Sequence, residues 1–312
     1  MAQEAIIQKL GIMLLEGYIG QAHMVSPLYV IFGYEGLLGK AFYFRICGTI
    51  PDYRMFCFEH SHVDISNRSQ VREVLSYVEP TVVVNCAGLS DPAACEASKS
   101  GAFEANAVGP KILAEECRRI QAKLVHFSSF HVFRGDKHKP YGERDRPMPI
   151  NSLGKSKLEG ERAIRATHKD HLIIRPGWLF DSQGCNFVPE WTERIDKGLS
   201  IVVQDDVHGS PSYVPDVVQY VLELVNRDAK GVFHVANGGT ATWQGLAETV
   251  CGLMRKRPMV VAVSGKSLMG MPPVPAYSVL SCAKLQSATG IATRPWTDSL
   301  KQCLFQAGRY KP

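Results

Sequence analysis

The chain has 312 residues, 45% hydrophobic and 21% charged, enough for one large core and a smaller lobe. Its 35 basic and 30 acidic residues are spread along the sequence, so the net charge of +5 suits a small anionic ligand without implying nucleic acid. The nine cysteines show no CxxC pair and no metal-ligand spacing; they read as free thiols in a reducing compartment, the cytoplasm, and exclude a disulfide framework.

Residues 1–27 read as an N-terminal extension. Glu4, Lys9 and Glu16 interrupt the apolar run a signal peptide needs, and Gly17, Gly20, Gln21, His23, Ser26 and Pro27 make the next stretch a poor membrane span. Ile6, Leu10, Met13 and Leu14 recur at helical spacing and predict a short amphipathic helix. The competing reading starts the protein at Met24, just before its first strand.

From Leu28 onward strand and helix patterns alternate. Leu28 to Phe32 is a β-rich apolar run, Gly36 to Cys47 fits a helix, Arg54 to Phe58 a second strand and Ser69 to Tyr77 a second helix. "TVVVNCAG" (Thr81 to Gly88) predicts a buried strand, Gly101 to Gln121 a long helix, Leu124 to Phe127 a strand, Lys155 to Thr167 a helix and Leu172 to Ile174 a strand. Uniformly apolar strands between helices imply a parallel sheet covered on both faces, hence a doubly wound α/β domain of the Rossmann type over residues 28–175. Beyond Arg175 the pattern breaks into Gly, Pro and short apolar runs such as "SIVVQ" and "GVFHVAN". These predict a smaller C-terminal α/β lobe over 176–312 that binds substrate, with later segments available to complete the core sheet.

"YVIFGYEGLLGKAF" sets Gly33, Gly36 and Gly39 between a strand and a helix. Glycines there permit a tight turn and close approach of backbone N–H groups to a pyrophosphate, aided by the helix N-terminus. Glu59, at the end of the second strand, is placed to hold the adenosine ribose hydroxyls, which tilts the site from NADP toward NAD. Glu35 inside the loop either brings negative charge toward the diphosphate or points to solvent. "EHSH" (Glu59 to His62) alternates along an extended segment with no third ligand cluster nearby and reads as a solvated loop; no metal is expected.

An ordered series of motifs resembles the dTDP-4-dehydrorhamnose reductase family of extended short-chain dehydrogenases/reductases over Leu28 to Gly308. The series runs "GYEGLLG", "DISN", "PTVVVNCAGLSDPAACEAS", "NAVGPKILAEEC", "LVHFSSFHVFRG", "NSLGKSKLEGE", "LIIRPGWLF", "NFVPEW", "QDDVHGSPSYVPDV" and "GVFHVANGGTATW". The resemblance implies NAD or NADP as cofactor, a nucleotide-linked 4-keto sugar as substrate, and often a homodimer. It places Gly33, Gly36, Leu37, Leu38, Gly39, Glu59, Asp64, Ile65, Cys86, Ala87, Gly88, Asn106 and Lys157 around the cofactor. Ser90, Ser129, His131, Trp178, Asn186 and Phe187 fall on the substrate side, with Ser129 binding the carbonyl and Lys157 the nicotinamide ribose.

One departure decides the chemistry. The family's proton-donating tyrosine stands four residues before the lysine, where positions i and i+4 share a helix face; here that position is Leu153. Loss of a placed acid costs about 10²- to 10⁴-fold in rate. Ser129 and Lys157 remain as donors, and His131 is the surrogate acid that titrates nearest neutrality. Phe130 replaces an aspartate of the family pattern, and "PAYSVLSCAKL" lacks the family's usual polar residues. Two readings stay open: a reductase with weakened or rerouted proton delivery, and a non-catalytic cofactor-binding protein with a regulatory or partner-binding role.

Overall fold

A computed structural model describes residues 27–49, 54–264 and 272–310. The expectations for an N-terminal helix or a start at Met24 lie outside these residues.

Apolar runs form the strands β1 (Leu28–Phe32), β2 (Arg54–Phe58), β3 (Val82–Asn85), β4 (Lys123–Phe127) and β5 (His171–Pro176). With β6 (Gly231–Val235) they make one sheet in the order β2-β1-β3-β4-β5-β6, parallel throughout. Parallel neighbours need crossovers, and helices supply them. The connecting segments carry α1 (Leu37–Thr49), α2 (Arg68–Val78), α3 (Pro92–Ala97), α4 (Lys99–Phe103), α5 (Gly109–Ile120), α6 (Ser152–Thr167), α7 (Phe187–Asp196) and α8 (Val214–Asn226), whereas α9 (Trp243–Leu253) follows β6 and packs in the C-terminal lobe. One face of the sheet is sealed by Phe42 of α1 with Val217 and Val221 of α8, the other by Val71 of α2, Leu113 of α5 and Ile164 of α6. The doubly wound Rossmann-type sheet predicted from the alternation is therefore present.

Two local expectations need correction, and a third is made specific. "GVFHV", grouped above with the apolar runs of the smaller lobe, is the later segment that completes the main sheet: α8 packs beside α1 on the shared core, which returns the chain along the free side of β5. The long helix expected from Gly101 to Gln121 is broken by a π-helical turn, Glu104–Val108. Pro110 supplies no N–H there, and Asn106 is drawn inward by side-chain bonds to Leu89 O (2.9 Å) and Ser156 Oγ (3.0 Å). Helix α6 starts at Ser152, ahead of the expected Lys155, because Asn151 Oδ1 accepts from Gly154 N–H (2.8 Å) and Glu96 Oε1 accepts from Ser152 N–H (2.7 Å).

The C-terminal lobe holds three small sheets around Trp178, Phe180, Trp191, Leu246 and Leu300. Among the described residues no helix is long and apolar enough to cross a membrane.

Candidate active site

The sheet order reverses direction between β1 and β3, and a cavity of about 530 Å³ opens beyond their C-terminal ends. Gly33 and Gly36 form one wall, Glu59, Asp64 and Ile65 a second, and Cys86, Ala87 and Gly88 a third. Gly33 has φ +78°, and a Cβ there would lie 2.4 Å from Ala87 N, so only glycine lets β1 turn this close to the end of β3. A Cβ at Gly39 would lie 2.4 Å from Gly33 O, which is how α1 can begin at the rim. Leu37 and Leu38 pack into the core beneath the loop rather than lining the cavity. These residues suit a dinucleotide: close backbone, a helix N-terminus, and a carboxylate at the strand end.

Glu35 is exposed yet lines the same cavity. With Glu59, Asp64 and Glu104 it gives the wall four carboxylates, and among the described residues no lysine or arginine lines it. Asp64 Oδ1 is already engaged by Ser66 N–H and Oγ–H, both at 2.8 Å, so it stiffens the loop after β2. Leu89 and Glu104 on these walls were not foreseen from sequence. Glu104 belongs to the π-helical turn, which leaves no signal in residue periodicity.

Lys157 lies under Gly88, where an added Cβ would come within 3.0 Å of Nζ and 2.6 Å of Asn106 Oδ1. Its ammonium donates to Phe127 O (3.0 Å), and burial pulls its pKa down to about 8. One turn earlier Leu153 is 2% exposed and packs with Cys95, Ala102 and Leu89. That position is apolar and sealed; no proton can be exchanged from it. Ser129 is half-buried and its Oγ accepts from His131 N–H (3.3 Å), capping the 3₁₀ turn Phe130–Val132.

A second cavity, about 590 Å³, lies between the main sheet and the C-terminal lobe. His131 and Trp178 line it together, with Phe130, Trp191, Trp243 and Val274 among their neighbours. Trp178 is stacked on Trp243 at 4.1 Å and 7°. Gly209 makes room, since a Cβ there would fall 2.2 Å from the Trp178 ring. Asn186 and Phe187 stand behind this wall. Asn186 caps α7, accepting from Val188 N–H (3.1 Å) and donating to Gln183 O (2.8 Å), while Phe187 meets Trp243 edge-on at 5.3 Å. Ser90 is exposed and lines neither cavity. The partners of Trp178 come from distant segments, so sequence spacing could not show them.

Residues 28–308 match the family described as the RmlD substrate binding domain. This chain belongs to the dTDP-4-dehydrorhamnose reductase family. It is 32% identical over 252 residues to the spore coat polysaccharide biosynthesis protein SpsK of Bacillus subtilis, covering 81% of this chain and 88% of that protein. It is also 32% identical over 280 residues to the dTDP-4-keto-6-deoxy-D-glucose reductase of Streptomyces niveus, covering 89% and 96%. The crystal structure of Bacillus anthracis dTDP-4-dehydrorhamnose reductase in complex with NADP superposes with a TM-score of 0.86 at 28% identity, covering 90% of this chain and all of that one. Lys157, Ser129 and Leu153 line neither cavity: Lys157 lies against Gly88 of the first, Ser129 directly precedes Phe130 and His131 of the second, and Leu153 packs on Leu89 of the first.

Proposed function

We propose that the protein is an NAD(P)H-dependent reductase of a nucleotide-linked 4-keto-6-deoxysugar, with the dinucleotide in the first cavity and the sugar reaching the second. Residues 28–175 then serve mainly as the cofactor domain and 176–312 mainly as the substrate lobe. The observation that supports this reading is Lys157, which lies against Gly88 of the glycine-lined cavity and donates to Phe127 O, at the end of the strand leading into Phe130 and His131 on the second cavity's wall. A bound reduced nicotinamide supplies hydride. The chain's own residues supply the rest: Gly33 and Gly36 admit the pyrophosphate, Glu59 the ribose, and Ser129 and His131 approach the carbonyl oxygen. The free state of all nine cysteines supports work in a reducing compartment, the cytoplasm.

A second reading, a cofactor-binding protein without turnover, is favoured by the sealed contact of Leu153 with Cys95 and Ala102. One assay separates the two. Oxidation of NADH and NADPH is followed with dTDP-4-dehydro-6-deoxy-L-mannose for the wild type and Leu153→Tyr. Turnover by the wild type supports the reductase. Turnover by the tyrosine variant alone, with a gain of about 10²-fold or more, supports binding as the present role. No turnover by either, with cofactor bound, rejects the sugar assignment.

A further inference from the structure

The amide of Asn151 is held by backbone groups that admit one orientation. Gly154 N–H, which can only donate, lies 2.8 Å from Oδ1, and Pro273 O, which can only accept, lies 2.9 Å from Nδ2. Nδ2 is therefore a donor, and it stands 3.0 Å from His131 Nδ1. Nδ1 must present a lone pair to that contact. Burial keeps the ring neutral, drawing its pKa down to about 4. A neutral imidazole with a lone pair on Nδ1 carries its proton on Nε2.

The ring cannot turn away from this arrangement easily. It stacks on Phe130 at 4.2 Å, and α6 lies so close that a Cβ at Gly154 would be 2.0 Å from His131 O. Nε2 makes no hydrogen bond within the described residues and is not sealed, and His131 lines the second cavity. Glu190 is the other titratable side chain on that cavity's described wall.

We propose that Asn151 is a positioning residue that fixes His131 with its proton on Nε2, so that Nε2–H is the hydrogen-bond donor to the substrate's carbonyl oxygen in place of the acid absent at Leu153. The use of this donor rests on the reductase reading; the tautomer does not. As hydride reaches the carbonyl carbon, the π electron pair moves to oxygen and Nε2–H holds the oxyanion without breaking its own bond. Water entering the second cavity then protonates the alkoxide, leaving hydroxide to the buffer. The imidazole acts as a preorganised dipole, which is the use a neutral ring can serve.

The test is ¹⁵N NMR of the full chain labelled at histidine, together with steady-state kinetics. In the wild type, His131 is expected to show its proton on Nε2 and no titration between pH 5.5 and 8. Asn151→Asp keeps the helix cap, because aspartate accepts from Gly154 N–H equally well, but turns an acceptor toward Nδ1. The proton is then expected on Nδ1, or on both nitrogens, with kcat down by about 10²- to 10³-fold and KM for NADH unchanged. His131→Phe, which keeps the stack on Phe130, should lose the same factor. A proton on Nδ1 in the wild type overturns the proposal, as does an Asn151→Asp variant with an altered tautomer and wild-type kcat. If the wild type reduces no ketone, the donor role falls with the reductase reading, whereas the tautomer is decided by the spectrum alone.

Discussion

Arg175 and Glu161 form a two-pronged pair inside the protein: Nη2 lies 2.5 Å from Oε2 and Nε 2.7 Å from Oε1, with side chains 2% and 1% exposed. Ser128 Oγ–H donates to the same carboxylate at 2.5 Å. The pair thus ties α6 to β5 and to the strand end that leads into Ser129. Glu161→Gln strands the guanidinium in a dry site and should cost about 3–5 kcal/mol in urea unfolding. Replacing both partners with methionine should cost far less. A loss below about 1 kcal/mol for the single variant would show that Arg175 finds another partner.

Lys157 should make stability depend on pH in an unusual direction. Its pKa in the fold, about 8, is below the ordinary 10.5, so between these values the unfolded chain binds more protons than the folded one. Stability contributed by this group therefore rises with pH across that window, and the burial penalty is fully present below pH 8. Relative to Lys157→Met, the wild type should gain about 2–3 kcal/mol between pH 7 and pH 10. Parallel unfolding curves for the two proteins across that range would contradict this. The same variant should bind NADH more weakly.

Two glycine variants give opposite signs. Gly33→Ala meets both a left-handed backbone and a contact of 2.4 Å with Ala87 N, so its melting temperature should fall and dinucleotide affinity should drop by at least about tenfold. Gly48→Ala, in α1 with no atom within 4 Å of the added methyl, should instead stabilise by about 0.5–1 kcal/mol. Calorimetry with NADH reads both. Equal effects at the two positions would remove the steric argument.

The first cavity should discriminate between cofactors. Glu35, Glu59, Asp64 and Glu104 line it with no lysine or arginine among the described residues, so a ribose 2′-phosphate enters a field of its own sign. NADH is expected to bind at least about tenfold more tightly than NADPH at low salt, and Glu59→Gln to narrow that gap. Equal affinities in the wild type would mean that Glu59 turns away from the ribose.

Strands β1 to β5 were legible because each is an apolar run, and burial on both sheet faces leaves few other readings for Val82–Val84 or Ile173–Ile174. The glycine loop was legible for the same local reason. Strand β6 was not, since "GVFHV" is as apolar as any strand of the small lobe and only the packing of α8 on α1 assigns it to the main sheet. The part played by Asn151 was also hidden. Its sequence signal is that of a helix cap, and its contact with His131 depends on a fold in which Gly154 brings α6 against the 3₁₀ turn. The wall around Trp178 was illegible because Trp243 and Val274 reach it from far along the chain.

Three of the chain's four tryptophans, Trp178, Trp191 and Trp243, stand on the wall of the second cavity. Ultraviolet emission from this protein consequently originates largely where the substrate is proposed to sit, and the stacked rings of Trp178 and Trp243 make that emission sensitive to anything that slides against them. The molecule carries a built-in optical reporter, so occupancy of the sugar pocket can be titrated without dye, label or turnover.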